Sequence, residues 1–510
     1  MPSVLAAYGE HLLNEQQRRA NRQFQRKALT ALTVAAVATT LLPAVPAAAT
    51  ATPSAVRWGP CPENVAASGL ECSTLKVPLD YRKPDGRTID IAISRLASKN
   101  PTRRRGVLLL NPGGPGAAGL RFPVDLVAAG MPRSVLDTYD VIGFDPRGVG
   151  HSTPVTCALT PEQQLRGNVP PYAPTAAYVA KQAEEAKAVA RQCATSKTGF
   201  MLPYVTTANT ARDMDRIRQA LGEPKLSYLG YSYGSHLGAV YTTLFPQRGD
   251  RIVIDSNLPP SGINYEDRSL FARGVEDRLP DFAEYAAAHP GYGLGSTPEQ
   301  VTEKYFELAE RLDRTPVQGA DGALFRMITF SMLFRDANFP ALAGLWQSIG
   351  TGQAPPAGAA DDPVLNSDNS MSSHQYVVCG DSRWPRSIHT YQRAVEADRK
   401  RYPMFGAATA NIRPCAFWPS DPIEAPVRVN DRGPSNVLMV QFLRDAGTPL
   451  AGAKKMQRAL GDRARMVTVE QGGHGVYLLG KNTCADTAVT TFLTTGKRPV
   501  RELTCAAEPA

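Results

Sequence analysis

Gly230-Tyr231-Ser232-Tyr233-Gly234 sets a serine between two glycines, after the apolar run KLSYLGY and before the small-residue run SHLGAVYTTLF. A serine on a tight strand-to-helix turn needs small neighbours, because the backbone there is strained and crowded. Such a turn exposes the hydroxyl at a helix N-terminus, where developing negative charge is favoured. The chemistry this implies is nucleophilic attack, and a serine hydroxyl needs a base to perform it.

The chain has seven histidines. His474 lies in QGGHGVY, directly after the strand-like run RMVTVE, where a loop above a sheet would carry a base. His236 is four residues past Ser232, one turn along the same helix, and points away from the hydroxyl. His151 follows the DPRGVG loop; His289, His374 and His389 fall in a helical region, and His11 lies near the N-terminus. An acid to orient the imidazole is expected after the preceding strand, and VLMVQFLRDAGTP puts Asp445 there. Asp255 in VIDS and Asp431 are rival acids. A tetrahedral oxyanion needs two backbone donors. The amide of Tyr233 is one; Gly113 or Gly114, in the PGGPGAAG loop after VLLLN, supplies the other, with Gly114 assigned.

These residues need elements to hold them. CSTLKVPLDY and TIDIAISRLA alternate apolar and polar positions around the turn RKPDGR and read as paired strands. VLLLN, YDVIGF, KLSYLGY and RIVIDSN are short apolar runs alternating with helical stretches at 173–194, 207–221 and after Ser232. That alternation implies an α/β fold, a mostly parallel sheet with helices on both faces and its site at the carboxyl ends of the strands. From 261 to 430 the pattern turns helical (FARGVEDRL, PEQVTEKYFELAERL, FRMITFSMLF, FPALAGLWQSIG), with a Gly/Pro/Ser/Asp-rich loop at 351–373. This reads as a helical cap inserted into a sheet domain made of 51–260 and 431–510, where VLMVQF and RMVTVE restore the strand pattern.

The N-terminus reads differently. RRANRQFQRK at 18–27 is basic, ALTALTVAAVATTLL is apolar, and PAVPAAATA is rich in small residues, which is the order of a signal peptide over residues 1–50. The apolar run is too short and too broken by Thr and Pro to favour a permanent membrane span. All eight cysteines follow it, and an even count in an exported chain reads as a disulfide set. Pairing near neighbours gives Cys61–Cys72, Cys157–Cys193, Cys379–Cys415 and Cys484–Cys505. No CxxC or paired HxxxH spacing suggests a metal site. The net charge of +9 comes from scattered Lys and Arg, the longest basic run in the body being Arg103-Arg104-Arg105, so nucleic acid is not an expected partner. With 43% hydrophobic and 20% charged residues, the chain can bury a large core.

The motifs together carry a resemblance. NPGGPG at 111–116 resembles the HGGPG loop of proline iminopeptidases, and FDPRGVGHS at 144–152 resembles their D-Q-R-G-x-G-x-S segment. With GYSYG, DAGTP, GGHG, VVCGD at 377–381, the leader and the cysteines, nearly the whole mature chain resembles the secreted tripeptidyl aminopeptidases of actinobacteria. It departs from the iminopeptidases at Asn111-Pro112, where they have His, and in DAGTP, where D-x-x-T-P usually carries a polar residue. The resemblance implies an α/β-hydrolase fold and a secreted, extracellular serine exopeptidase. It would release short peptides, tripeptides above all, from free N-termini of peptides or proteins, with Ser232, His474 and Asp445 as triad. A carboxylesterase with the same triad is the alternative. No metal or organic cofactor is called for, and a monomer without lasting membrane association is expected. Aminopeptidase action also requires a carboxylate for the substrate ammonium; Glu266, Asp267, Glu276, Asp277, Asp281, Glu284 and Asp381 are the candidates.

Overall fold

The computed structural model describes residues 56–165, 168–317, 319–353 and 367–508. The leader read at residues 1–50 lies outside them.

The central strands are apolar on both sides because helices cover both faces of the sheet. β3 (Gly106–Asn111), β4 (Tyr139–Phe144) and β5 (Leu226–Tyr231) are buried at every position. At the edge, β1 (Leu70–Pro78) alternates buried and open positions and pairs antiparallel with β2 (Thr88–Leu96), from Leu70 opposite Leu96 to Pro78 opposite Thr88. β6 (Gly249–Asp255), β7 (Val437–Arg444), β8 (Ala464–Gly472) and the short β9 (Leu503–Cys505) complete a nine-stranded sheet in the order β1-β2-β4-β3-β5-β6-β7-β8-β9. β2 pairs antiparallel with β4, and every later pairing is parallel. The carboxyl ends of β3, β5, β6, β7 and β8 therefore follow one another along one edge of the sheet. The loops with Gly113 and Gly114, Ser232, Asp255, Asp445 and His474 leave from those ends. Helices Leu450–Leu460 and Thr483–Thr495, and β9, are additions to the elements read from sequence.

Between β6 and β7 the chain runs through helices Ser269–Ala287, Pro298–Arg314, Gly322–Met332, Phe339–Gly350, Asp368–Asp381 and Ile388–Arg401. Most pack around an aromatic centre of their own. The Trp346 ring lies 4.8 Å from Phe282, 5.6 Å from Tyr305 and 5.5 Å from Phe325. This cluster also takes in Tyr172, Val179 and Ala183, from ahead of β5. Helix Ala176–Thr195 presents Val179 and Ala183 to the helical layer, while its Val189, Ala190 and Cys193 join the cluster under the sheet. Helix Asp368–Asp381 does the reverse: it lies between β6 and β7 in the chain, yet Met371, Tyr376, Val377 and Val378 pack in the cluster under the sheet. Periodicity marks an apolar face but not the body that covers it.

The loop read at 351–373 is corrected at its end. Asp368 starts a helix, because the Ser367 side chain accepts from the Ser370 amide as an N-cap. Ser and Asp read as loop residues are here cap and first turn. The disulfides join Cys61 to Cys72, Cys157 to Cys193, Cys379 to Cys415 and Cys484 to Cys505. Each closes a short or medium loop, worth about 2–4 kcal/mol by chain entropy.

Candidate active site

Ser232 has φ 56° and ψ −120° between β5 and helix Tyr233–Leu244, a conformation that non-glycine residues rarely hold. The flanking glycines are sterically required. A Cβ on Gly230 would lie 2.4 Å from Tyr228 Oη and 2.6 Å from the Gly234 carbonyl oxygen, and one on Gly234 would lie 2.8 Å from Asn111 Oδ1. The turn is held by the Ser232 amide, which donates to the Asp255 carbonyl at 2.9 Å.

His474 sits on the loop after β8. Its Nδ1 is 2.9 and 3.0 Å from the two Asp445 oxygens. A carboxylate only accepts, so Nδ1 carries the proton and Nε2 is left as the basic atom. Burial pulls the imidazole down, but the charge and hydrogen bond of Asp445 outweigh it and hold it above its ordinary value. Asp445 is fully buried and is fixed by the amides of Gly447 and Thr448, at 2.9 and 2.8 Å, and by the Thr448 hydroxyl at 2.8 Å. The ring of Phe334, from the helical layer, lies 4.6 Å from that of His474, and the Phe334 carbonyl accepts from the His474 amide at 2.8 Å.

Asp255 has different work. Its carboxylate accepts from the Val476 and Tyr477 amides at 2.9 and 2.8 Å and from the Ser256 hydroxyl at 3.1 Å, while Ser256 Oγ accepts from the Gly475 amide at 2.8 Å. One residue thus holds the Ser232 turn by its carbonyl and the segment after His474 by its carboxylate. Burial pushes this carboxyl up to about 7 against those hydrogen bonds. Asp431 is exposed beside Gly461 and takes no part.

The loop after β3 packs against the serine. A Cβ on Gly113, at φ +106°, would lie 2.6 Å from the Tyr231 carbonyl and 3.0 Å from Ser232 Cβ. The Gly113 amide donates to Asn111 Oδ1 at 3.1 Å. Among the described residues no acceptor engages the amides of Gly114 or Tyr233. The far end of this loop is anchored by Asp145 in the DPRG segment, which accepts from Gly119 and Leu120 at 2.8 and 3.1 Å. Arg147 of the same segment is sealed inside against Asp213 at 2.6 Å. The Tyr233 side chain is held as well: its hydroxyl is 2.7 Å from Thr207 Oγ1, which donates to Asp381 at 2.5 Å.

Asp381 is therefore engaged, and most of the other acids read as amine partners are engaged or solvated. Asp267 is ion-paired with Lys455, Asp281 with Arg278 and Arg444, and Asp277 with Arg273; Glu266 and Glu284 are exposed. Glu276 is half-buried, accepts from the Met404 amide at 2.9 Å and has no cation partner among the described residues; burial pushes it up to about 7. Its helix crosses the acid loop closely, since a Cβ on Gly274 would lie 2.8 Å from the Asp445 carbonyl. His236 is buried beside Gly262 and pushed down to about 4 by burial, a packed neutral imidazole. His151, His289 and His389 are exposed, and His374 is buried. Thr448, Ser256 and Thr207 escaped the sequence reading. Thr448 stands in the DAGTP motif and Ser256 in VIDS, but only contacts show what their hydroxyls hold.

A parallel sheet with a strained serine at the end of β5 and an imidazole–carboxylate pair beyond β7 and β8 defines a serine hydrolase of the α/β-hydrolase fold. Family models agree: residues 106–292 match the alpha/beta hydrolase fold, and residues 402–505 match the TAP-like protein family. The chain is 34% identical to a tripeptidyl aminopeptidase of Streptomyces lividans, over 90% of this chain and 88% of that one. It is 28% identical to the serine protease Hip1 of Mycobacterium tuberculosis, over 88% and 91% of the two chains. It is 29% identical to carboxylesterase B of the same organism, over 88% and 89%. The chain belongs to the tripeptidyl aminopeptidase family and is an enzyme.

Proposed function

We propose that the protein is a secreted serine exopeptidase that releases tripeptides from free N-termini of peptides and proteins. The observation that carries the reading is the His474–Asp445 pair at 2.9 Å beside the Ser232 turn, in a chain 34% identical to a tripeptidyl aminopeptidase. His474 Nε2 takes the proton of Ser232 Oγ as the oxygen attacks the scissile carbonyl. The amides of Gly114 and Tyr233 stabilise the oxyanion. The imidazolium, steadied by Asp445, gives that proton to the leaving amine as the C–N bond breaks. Water then attacks the acyl-serine, losing its proton to His474, which returns it to Ser232. No step calls for a metal or organic cofactor.

Glu276 takes the substrate ammonium in this reading, because among the described residues it is half-buried, has no cation of its own and, unlike Asp381 with its two bonds from Thr207, accepts from a single backbone amide. Export is supported by the leader-like order of residues 1–50 and by four disulfides, which persist in oxidising surroundings. No described helix is long and apolar enough to cross a membrane. The protein acts as a monomer. The likeness to carboxylesterase B favours a second reading, ester hydrolysis by the same residues. A panel of tripeptide aminomethylcoumarins with free and acetylated amino termini, beside p-nitrophenyl esters, separates the two. The free amides should be cleaved and the acetylated ones spared; cleavage of esters alone would overturn the peptidase reading.

A further inference from the structure

Seven arginines are buried among the described residues: Arg147, Arg218, Arg251, Arg278, Arg326, Arg413 and Arg463. Six have acceptors. Arg147, Arg218, Arg278 and Arg326 bind carboxylates, and Arg251 and Arg463 bind backbone carbonyls. Arg413 is 9% exposed, and its guanidinium has no hydrogen bond and no ion pair among the described residues. Its one aromatic partner is Trp384, 5.0 Å from the guanidinium carbon to the ring centroid. A charge largely withdrawn from water without an ion partner is costly, and the Arg413 nitrogens, which are not sealed off, remain open to a cavity where a ligand can reach them.

That cavity is bounded by Arg413, Trp384 and Phe271 on the helical side and by Asn257, Gly447 and Thr448 on the sheet side. Thr448 holds Asp445, and Asn257 lies two residues past Asp255, whose carbonyl holds Ser232. The cavity thus adjoins the strand ends that carry the reacting groups. Asn257 Oδ1 is also buried there without a donor. The other charges at this cavity, Asp267 and Arg268, face Lys455 and Asp398 respectively. Behind Arg413 stands His374, whose imidazole is driven down to about 3 by burial and by the neighbouring guanidinium. The backbone of His374 rests on the loop with Gly114: a Cβ on Gly116 would lie 3.3 Å from the His374 nitrogen.

We propose that Arg413 is a specificity-determining residue that binds a carboxylate carried by the acyl portion of the substrate, in the cavity between the strand ends and the helical layer. The guanidinium supplies paired donors to the carboxylate, and Trp384 and Phe271 cover the methylenes that carry it. The inference rests on the serine-hydrolase reading of the site, and its peptide form rests on the peptidase reading.

The test compares tripeptide aminomethylcoumarins with free amino termini, Glu against Gln at each of the three positions, and p-nitrophenyl hemiglutarate against p-nitrophenyl valerate. The full secreted chain is used, with Arg413→Met and Arg413→Lys. Wild type should prefer Glu over Gln at one position, and hemiglutarate over valerate, by about tenfold or more, mostly in KM, as for a hydrogen bond to a charged group. Arg413→Met should bring both ratios to about one while neutral substrates stay within about threefold, and Arg413→Lys should restore part of the preference. If peptides are not cleaved at all, the peptidase reading fails and the ester pair still decides the role of Arg413. Equal wild-type rates on Glu and Gln at every position, together with equal rates on the two esters, would overturn the proposal even if Arg413→Met fails to fold. So would an acidic preference that survives in Arg413→Met.

Discussion

Asp255→Asn separates stability from catalysis in opposite directions. The wild-type carboxyl is buried without a cation and lifted from 3.8 to about 7. Its folded value lies above its unfolded value, so the stability linked to it is complete below pH 4 and is lost as pH rises through 7. A displacement of that size withdraws about 4 kcal/mol across the interval. Asparagine cannot ionise and does not lose this stability. It does, however, turn an NH2 group towards the amide of Val476 or Tyr477, leaving one buried N–H unpaired at a cost of about 1–3 kcal/mol at every pH. The variant should therefore melt below wild type at pH 4.5. The difference should narrow as pH rises and reach zero or reverse by pH 8. Fluorophosphonate labelling of Ser232 should nevertheless be slower in the variant at pH 8, because the segment after His474 has lost a clamp. Thermal melts from pH 4.5 to 8.5, paired with labelling rates, give both readings. A melting difference that stays flat with pH would refute the assignment of a buried titrating acid, and wild-type labelling would refute the clamp.

Other outcomes follow from the same contacts. Thr448→Val keeps the volume but removes the 2.8 Å hydroxyl bond to Asp445 and should lower kcat about tenfold with KM little changed in steady-state assays. Gly113→Ala brings a Cβ 2.6 Å from the Tyr231 carbonyl and should slow acylation at least about a hundredfold, read by labelling. Because Asp445 holds His474 above its ordinary value, the acid limb of the kcat/KM profile should lie above pH 6.5, with activity appearing as the imidazole loses its proton. Asp445→Asn should move that limb downward.

The sheet was readable because burial on both faces leaves unbroken apolar runs: YDVIGF coincides with β4, and VLLLN gives all but the first residue of β3. Ser232, Asp445 and His474 were readable because each stands at a strand end, and strand ends of a parallel sheet converge. What escaped depends on contacts between distant segments. Asp255 and Asp445 both follow apolar strands, and only the hydrogen bonds show that one holds an imidazole and the other a backbone. Asp381 looked free in the CGD motif, yet Thr207, 174 residues earlier, occupies it. The lone guanidinium of Arg413 is invisible in sequence, because a missing partner leaves no pattern.

The central claim is tested most directly by mass spectrometry of the products from an unstructured peptide of ten residues, offered with free and with acetylated amino terminus to wild type and to Ser232→Ala. The account predicts successive loss of tripeptides from the free peptide by wild type alone. Internal cleavage, equal cleavage of the acetylated peptide, or tripeptide release by Ser232→Ala would contradict it.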